Sequence, residues 1–286
     1  MAKVPASVIV LTYNTRDLTL RCLSSFYTEA LAHGWQIIVV DNGSSDSTAE
    51  AIAEHFPGVQ VLRSEKNLGY AAGNNLGLRR AMGEIVILLN SDVLAPFSVL
   101  QGLTETLKAQ PQVGAISAGL LTAEGRPQAF AYGCDPRPGY LLHRGLRALL
   151  GLGFMHRWDV SQPIEAEWVS GACLCVRQEV LQQVGLLDER FFLYFEDNDW
   201  CLRMRQAGWR VLYDPRWTVT HLGGASGIQR NLISSIYYRS LAAFYDKHYS
   251  LPATLTLRVL IKCYVLLKSL HRRRHAPSKE GAPPCA

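Results

Sequence analysis

The sequence predicts a doubly wound α/β domain, and three observations carry that expectation. Three short apolar runs, "SVIVL" at 7–11, "QIIVV" at 36–40 and "EIVILL" at 84–89, are rich in β-branched residues and do not alternate with polar ones. Strands of that kind are buried on both faces, as in a parallel sheet covered by helices. Helical spacing lies between them, so the order reads β-α-β-α-β. Each run also ends in polar residues at its carboxyl end, "TYN" (12–14), "DNGSSD" (41–46) and "NSD" (90–92), which is the edge where such sheets bind ligands.

After the first strand, "DLTLRCLSSFYTEAL" (17–31) places apolar residues three and four apart, which predicts one helix. "STAE" (47–50) after the second strand fits a capping box, with Ser47 and Glu50 opening the next helix. "EKNLGYAAGNNLGL" (65–78) is rich in Gly and Asn and leads into a third helix. Residues 113–180 are less regular, with turns at "DPRPG" and a strand expected over "WVSGACLCV" (168–176). "NDWCLRMRQAG" (198–208) reads as a helix closed by Gly208, followed by a short strand at "WRVLYD". From Gly227 to about residue 274 the pattern is helical, and the tail "APSKEGAPPCA" is Pro-rich and expected to fray.

Bulk properties narrow the function. The 286 residues allow a sizeable core. The formal net charge of +5 is concentrated in residues 255–275, which hold Arg258, Lys262, Lys268, Arg272, Arg273 and Arg274 and no acid. The rest is near neutral, which argues against a nucleic-acid partner. Seven cysteines without CxxC or zinc spacing read as reduced thiols of a cytoplasmic protein. No signal peptide is apparent, and no uncharged run reaches the ~20 residues of a membrane span. No GxxxxGK occurs, and "GLGFMH" (151–156) lacks the third Gly and the βαβ setting of a dinucleotide fingerprint, which argues against P-loop NTPases and NAD enzymes.

Two kinds of site residue remain. Asp41 and Asp92 sit at strand ends, where a carboxylate can hold a ribose, a base or a divalent cation. Each is also an ordinary turn residue when taken alone, and His221 in "VTHLGGAS" is more often structural than a ligand. The second is the acid cluster of "FFLYFEDNDWCLR" (191–203), with Glu196, Asp197 and Asp199 behind an apolar wall. Carboxylates at a helix N-terminus are favoured by about 0.3–1 kcal/mol each, which does not account for the wall. Desolvation and mutual repulsion raise a carboxylate pKa, as a general base requires.

Taken in order, "VIVLTYN", "IIVVDNGSSDST", "NLGYAAGNNLGL", "ILLNSDV", "WVSGACLCVRQEVLQQVGLLDERFFLYFEDNDWCLR" and "THLGGAS" resemble family 2 glycosyltransferases of the bacterial rhamnosyltransferase type, over roughly residues 5–226. The resemblance implies the GT-A fold, α/β with a Rossmann-like, mostly parallel central sheet flanked by helices and a C-terminal helical extension. It implies a nucleotide-sugar-binding half over 1–115, an acceptor-binding and catalytic half over 116–227, helices over 228–274 and a disordered tail over 275–286. It implies roles by position: Thr12, Tyr13, Asn14 and Asp41 at base and ribose, Asn67 and Gly69 shaping the nucleotide pocket, Asp92 at Mg²⁺ or Mn²⁺, and His221 at that metal or at the diphosphate. Asp197 would be the catalytic base with Glu196 orienting, and Trp168 and Gly171 would lie near the donor sugar or acceptor. Asn90, Ser91 and Asp199 are counted with the substrate-facing polar residues, Asp199 also as a helix cap. Asn90 departs from the family pattern, standing where a first Asp is usual.

The implied activity is inverting transfer of a sugar, leaning to L-rhamnose from dTDP-L-rhamnose, onto a cell-surface polysaccharide or lipid-linked glycan. UDP- and GDP-sugars stay open as donors, and a non-catalytic nucleotide-sugar-binding protein is the reading from another class. A glycoside hydrolase fits less well, since its two acids must flank a cleft. In "TLTLRVLIKCYVLLKSLHRRRH", Arg258, Lys262, Ser269 and Arg272 share a face opposite Leu260, Tyr264, Leu267 and Leu270. That pattern predicts an amphipathic helix at an anionic inner membrane surface, with packing on the domain as the alternative.

Overall fold

The computed structural model describes residues 3–152, 158–223 and 230–274. The chain divides into two compact units, Met1–Ser240 and Leu241–Ala286.

The first unit begins with β1 (Ala6–Thr12), α1 (Arg16–Ser24), α2 (Tyr27–Ala32), β2 (Gln36–Asp41), α3 (Thr48–His55), β3 (Gln60–Arg63), α4 (Gly69–Leu78) and β4 (Ile85–Asn90). It continues through β5 (Val93–Leu94), α5 (Phe97–Lys108), β6 (Val113–Leu121), β7 (Tyr132–Gly133), α6 (Pro138–Leu149), β8 (Ile164–Glu165) and β9 (Trp168–Val169). β10 (Cys173–Arg177), α7 (Gln178–Val184), α8 (Glu196–Gln206), β11 (Arg210–His221) and the start of α9 (Arg230–His248) complete it.

Among the described residues the main sheet has the order β3-β2-β1-β4-β10-β6-β11-β5, with β8 on β11. β1 pairs in parallel with β2 and β4, β2 with β3, and β6 with β11, while β10 runs antiparallel between β4 and β6. The sheet is therefore mostly parallel, as expected. Register aligns the strand ends: Thr12 pairs with Asp41, and Leu11 with Asn90. The antiparallel β10 starts where β4 ends, with Cys173 opposite Leu89. The turn before β10 therefore reaches the same edge as the carboxyl ends of β1, β2 and β4.

Val8, Ile9, Val10, Ile38, Val39, Val40 and Ile87 are fully buried, the signature of strands covered on both faces. α4 lies unusually close to this core. A Cβ at Gly73 would stand 2.6 Å from Leu11 Cδ1, and one at Gly77 2.5 Å from Ile9 Cγ2. The glycines of "GNNLG" are thus explained by helix–sheet contact rather than by phosphate binding.

Several local expectations are corrected. The helix expected over 17–31 breaks at Ser25 and Phe26 into α1 and α2. Ser47 does not form a capping box: its backbone is left-handed (φ 59°) and its side chain makes no cap bond. Asp46 takes that place, its Oδ1 accepting from Thr48 N at 3.2 Å and from the Thr48 hydroxyl. Residues 113–121, read as irregular, are the fully paired β6. The strand expected over 168–176 is interrupted at Ser170–Ala172, and "DPRPG" runs into α6. The strand after Gly208 extends to His221, with register shifts between Arg210 and Val211 and between Asp214 and Thr218. Gly208 adopts φ +90° directly after α8, as a helix terminator should.

The second unit begins within α9 and contains α10 (Leu251–Arg274). Thr254 Oγ1 donates to Tyr245 O at 3.1 Å and Arg258 pairs with Asp246 at 2.6 Å, which ties α10 to the end of α9. Leu251, Leu255, Val259 and Leu260 are exposed. The side chains of the helical wheel from Tyr264 onward, and the tail over 275–286 that is expected to fray, lie outside the described residues. No described helix is long and apolar enough to cross a membrane.

Candidate active site

The β1 and β2 ends are held together by polar side chains. Asn14 has a left-handed backbone (φ 52°), and its Oδ1 accepts from Ser45 N at 2.8 Å while its own N–H donates to Ser44 Oγ at 2.9 Å. Asp41 is buried; its Oδ1 accepts from Ser44 N at 2.9 Å, and Arg63 Nε lies 3.8 Å from Oδ2. Tyr13 is half-buried beside them. Thr12 sits deeper, its hydroxyl in a chain with Thr15 at 2.9 Å and Thr19 at 2.8 Å, and Thr15 reaches Ser91 Oγ at 2.9 Å. Thr12 and Ser91 are thus already hydrogen-bonded beneath the edge.

Asn42, not singled out from the sequence, is the hub of the next loop. Its Oδ1 accepts from Leu68 N at 2.9 Å, and its Nδ2 donates to Asn67 Oδ1 and Gly69 O, each at 3.1 Å. Asn67 Oδ1 also caps Gly69 N at 2.9 Å. Gly69 has φ +85°, and a Cβ there would meet Phe192 O at 2.4 Å. That close approach, with Tyr70 N donating to Phe192 O at 2.6 Å, joins the nucleotide-side loop to the acid segment.

Asp92 follows β4, and the β5–β11 pairing sets His221 against Val93. His221 Nε2 lies 3.2 Å from Asp92 Oδ1, and both side chains are mostly buried. The other ring nitrogen, Nδ1, is 2.7 Å from Gln128 Oε1. An amide oxygen only accepts, so Nδ1 carries the proton. Nε2 thus faces the Asp92 carboxylate, and both atoms are of a kind that can serve as ligands. Two ligands with bonds of ~2.1 Å at adjacent positions on a divalent ion are ~3 Å apart, so the pair fits such an ion. Among the described residues, however, no group of three or more His, Cys, Asp or Glu is clustered for a metal.

The acid segment is built under strain. Tyr194 and Phe195 both have left-handed backbones, φ 68° and 69°, a conformation that costs of order 1–3 kcal/mol for a non-glycine residue and clusters at functional sites. Phe195 stands at the N-cap of α8, and no side chain caps that helix. Asp197 Oδ1 accepts from Asn198 N at 2.8 Å and Oδ2 from Gly171 N at 3.4 Å. Burial drives the Asp197 carboxyl up to about 6, against the lowering effect of those two backbone donors. Glu196 is driven well above the carboxylate range by burial and then by the neighbouring Asp197 charge, and its Oε2 is buried without a protein partner. Tyr70 donates its hydroxyl to Gly171 O at 2.8 Å, and burial followed by the Glu196 and Asp197 charges raises its phenol well above the usual range. The Asn198 amide, oriented to suit its neighbours, donates to Asp197 Oδ1 and accepts from Trp168 Nε1, each at 3.1 Å, and that indole N–H is shared with Cys134 O at 3.0 Å.

Asp199 behaves differently from its neighbours. It is completely buried and does not cap α8; its Oδ2 accepts from Arg203 Nε at 2.8 Å, one turn along the same helix. Arg203 also donates to Val184 O and to Leu186 O. The spacing of four places Asp199 under its own arginine, so the cap reading is corrected.

The turn Ser170–Ala172 is where these pieces converge: Asn90 N donates to Ala172 O at 3.0 Å, Tyr70 holds Gly171 O, and Gly171 N holds Asp197. Asn90, Asn67, Gly69, Trp168, Gly171, Glu196 and Asp197 are thereby linked. Asp41 with Asn14, and Asp92 with His221, form separate groups along the same edge. Tyr70, Asn198 and Gln128 escaped the sequence reading, since nothing in their spacing marks them.

Residues 7–128 match glycosyl transferase family 2. The chain is 29% identical over 295 residues to the N-acetylglucosaminyl-diphospho-decaprenol L-rhamnosyltransferase of Mycobacterium tuberculosis H37Rv, covering 93% of this chain and 94% of that protein. In fold it is similar to a Pyrobaculum calidifontis mannosyltransferase solved with GDP-mannose and Mn²⁺ (TM-score 0.54, 20% identity, 93% of this chain and 81% of that one). It is also similar to GalNAc-T7 solved with UDP, GalNAc and Mn²⁺ (TM-score 0.61, 18% identity), matching 84% of this chain but only 47% of that longer one.

Proposed function

We propose that this chain, which matches glycosyl transferase family 2 over residues 7–128, is rhamnosyltransferase-like and has the GT-A fold, transfers a sugar with inversion from a nucleoside diphosphate to a lipid-linked or cell-surface glycan. L-Rhamnose from dTDP-L-rhamnose is the proposed donor, in keeping with the relative that carries rhamnosyltransferase in its name. The observation that carries the reading is Asp197: a desolvated carboxyl with its pKa raised to about 6, tied by Gly171 to the sheet edge that also bears Asp41 and Asp92.

In this reading Asp41, Asn14 and Tyr13 receive the base and ribose, with Thr12 supporting them from below. Asn67 and Gly69 shape the pocket wall, and Asn90 and Ser91 line its floor. Asp197 takes the proton of the acceptor hydroxyl as that oxygen bonds to the anomeric carbon. The bond from that carbon to the diphosphate oxygen breaks on the opposite face, and the nucleoside diphosphate leaves with the electron pair. Glu196, whose carboxyl burial pushes up, stands beside Asp197 to orient the acceptor. Trp168 fixes the Asp197 side through Asn198. Asp92 and His221 would hold Mg²⁺ or Mn²⁺, which when bound stabilises charge on the departing diphosphate. We also assign α10, through the basic run 255–275, to contact with an anionic inner membrane surface.

The test is nucleoside diphosphate release across dTDP-, UDP- and GDP-sugars with Mg²⁺, Mn²⁺ or EDTA. Selective turnover of one donor that EDTA abolishes is expected. Turnover that survives EDTA removes the metal from Asp92 and His221. Tight donor binding without turnover, even with glycan acceptors supplied, favours a non-catalytic nucleotide-sugar-binding protein.

A further inference from the structure

We propose that Tyr70 is a positioning residue for the transfer: its hydroxyl clamps Gly171, and Gly171 in turn holds the Asp197 carboxylate where it meets the acceptor. This role rests on the transfer reading, in which Asp197 is the base. It extends that reading to a phenol of α4, a helix otherwise explained by packing on the sheet.

Tyr70 Oη donates to Gly171 O at 2.8 Å, and Gly171 N donates to Asp197 Oδ2 at 3.4 Å. Both bonds fall on one residue, so fixing its carbonyl restrains its amide. The restraint matters because glycine has the freest backbone of any residue. The same contact demands that glycine: a Cβ at position 171 would stand 2.5 Å from Tyr70 Oη. The phenol thus occupies the space of a side chain, and its hydroxyl supplies the restraint that a side chain would have given. Tyr70 is itself anchored, its N–H donating to Phe192 O at 2.6 Å and its carbonyl accepting from Asn74 Nδ2 at 3.0 Å. On either side of Gly171 the turn is pinned as well, Ser170 N to Ala131 O at 2.9 Å and Asn90 N to Ala172 O at 3.0 Å.

Electrostatics suit the phenol to this task. Burial, then the Glu196 and Asp197 charges, raise it well above the usual range, so the hydroxyl keeps its proton and remains a donor. The Gly171 amide favours ionised Asp197, against the burial that pushes that carboxyl up. Without the clamp Asp197 should therefore be harder to ionise. The other titratable groups acting on this pair are Glu196 and Cys201 on α8 and Cys173 on β10, with Arg205 and Asp135 acting on Cys201. Burial pushes both thiols up to about 12, so they stay neutral below pH 8. Glu196 is present in every variant below and cancels in the comparison.

The experiment is a mutant cycle of Tyr70→Phe with Asp197→Asn in the full-length protein, read by urea unfolding at pH 5 and pH 8. Tyr70→Phe keeps the ring and removes the clamp. Asp197 withdraws stability as pH rises through its folded pKa, and a higher folded pKa enlarges that loss. The deficit of Tyr70→Phe is therefore expected to grow by ~0.2–0.5 M in urea midpoint between the two pH values. In the Asp197→Asn background it should not change with pH. A deficit equal at both pH values in both backgrounds is what a purely structural tyrosine gives, and it would overturn the proposal. With a donor that wild type turns over, the kcat/KM limb should move up by about half a unit to one unit in Tyr70→Phe, at unchanged donor KM. An unmoved limb would overturn it equally. If Tyr70→Phe does not fold, Gly171→Ala carries the same test, because its Cβ displaces the hydroxyl. A deficit that grows with pH while no sugar nucleotide is turned over keeps the clamp and rejects the transfer reading, so the two fail separately.

Discussion

The strand-end loops and the acid segment meet at one sheet edge and are built in opposite ways. At the β1, β2 and β4 ends nearly every polar group has a partner: Asn14 with Ser44 and Ser45, Asp41 with Ser44, Asn42 with Asn67 and Gly69. At residues 191–199 two non-glycine residues are left-handed, one Glu196 oxygen is buried without a protein partner, and two adjacent carboxyls share a desolvated pocket. Satisfied hydrogen bonds make a rigid cradle that recognises a ligand by shape. Strain and desolvation make a group reactive, at a cost in stability that the rest of the fold has to offset.

Substitutions can break that contrast, beginning with the largest expected effect. Asp199 sits in the acid segment but is paired, so Asp199→Ala leaves Arg203 uncompensated and should destabilise by about 3–5 kcal/mol. Urea unfolding measures this loss, and donor affinity of the folded fraction should be unchanged. Gly69 joins the two regions; Gly69→Ala forces a Cβ against Phe192 O in a left-handed backbone, for a loss of about 2–3 kcal/mol. Both stability and donor binding should fall, whereas a clean stability loss would mean that the two regions work independently.

Asp197→Asn should do the reverse. The folded protein binds the Asp197 proton more tightly than the unfolded chain does, since its pKa is raised from 3.8 to about 6. The stability from that group is fully present below pH 4 and is lost as pH rises through 6. Asp197→Asn has no such loss, so between pH 4 and pH 7.5 it should gain on wild type by about 1–3 kcal/mol, read from denaturation at both pH values. The same titration predicts that wild-type kcat/KM rises with pH and levels off above about pH 6, because a base must be unprotonated. Smallest is Ser44→Ala in the cradle: the lost bond to Asn14 N should lower stability by about 1 kcal/mol and raise the donor KM without changing kcat.

The strands that carry the cradle are readable from sequence because they depend on local rules, whereas its hub Asn42 and the caps around it are not. β-Branched runs gave the strands, and register then carried Thr12, Asp41 and Asn90 to one edge without further information. β6 was missed because "VGAISAGLL" breaks up Val113, Ile116 and its two leucines with small residues and glycines, which dilutes the strand signal until β10 and β11 flank and bury it. The same limit hid the partners of Asp197. Gly171 reaches it through a distant turn amide, Tyr70 supports it only by holding Gly171 O, and Asn198 donates from the next residue, roles that the motifs containing these residues do not reveal. Asp199 and Asp197 look alike in "EDND", yet one faces its own Arg203 a turn away and the other a glycine amide 26 residues back. Composition cannot separate them.

The most direct test of the central claim, that the acid segment performs the chemistry and the strand ends hold the donor, is one paired measurement on Asp197→Asn. Calorimetric affinity for the nucleotide-sugar and its turnover to nucleoside diphosphate should be read under the same conditions. The account predicts affinity close to wild type and turnover lower by about 10²–10⁴-fold. Near-wild-type turnover with intact binding would contradict it and return Asp197 to a structural role.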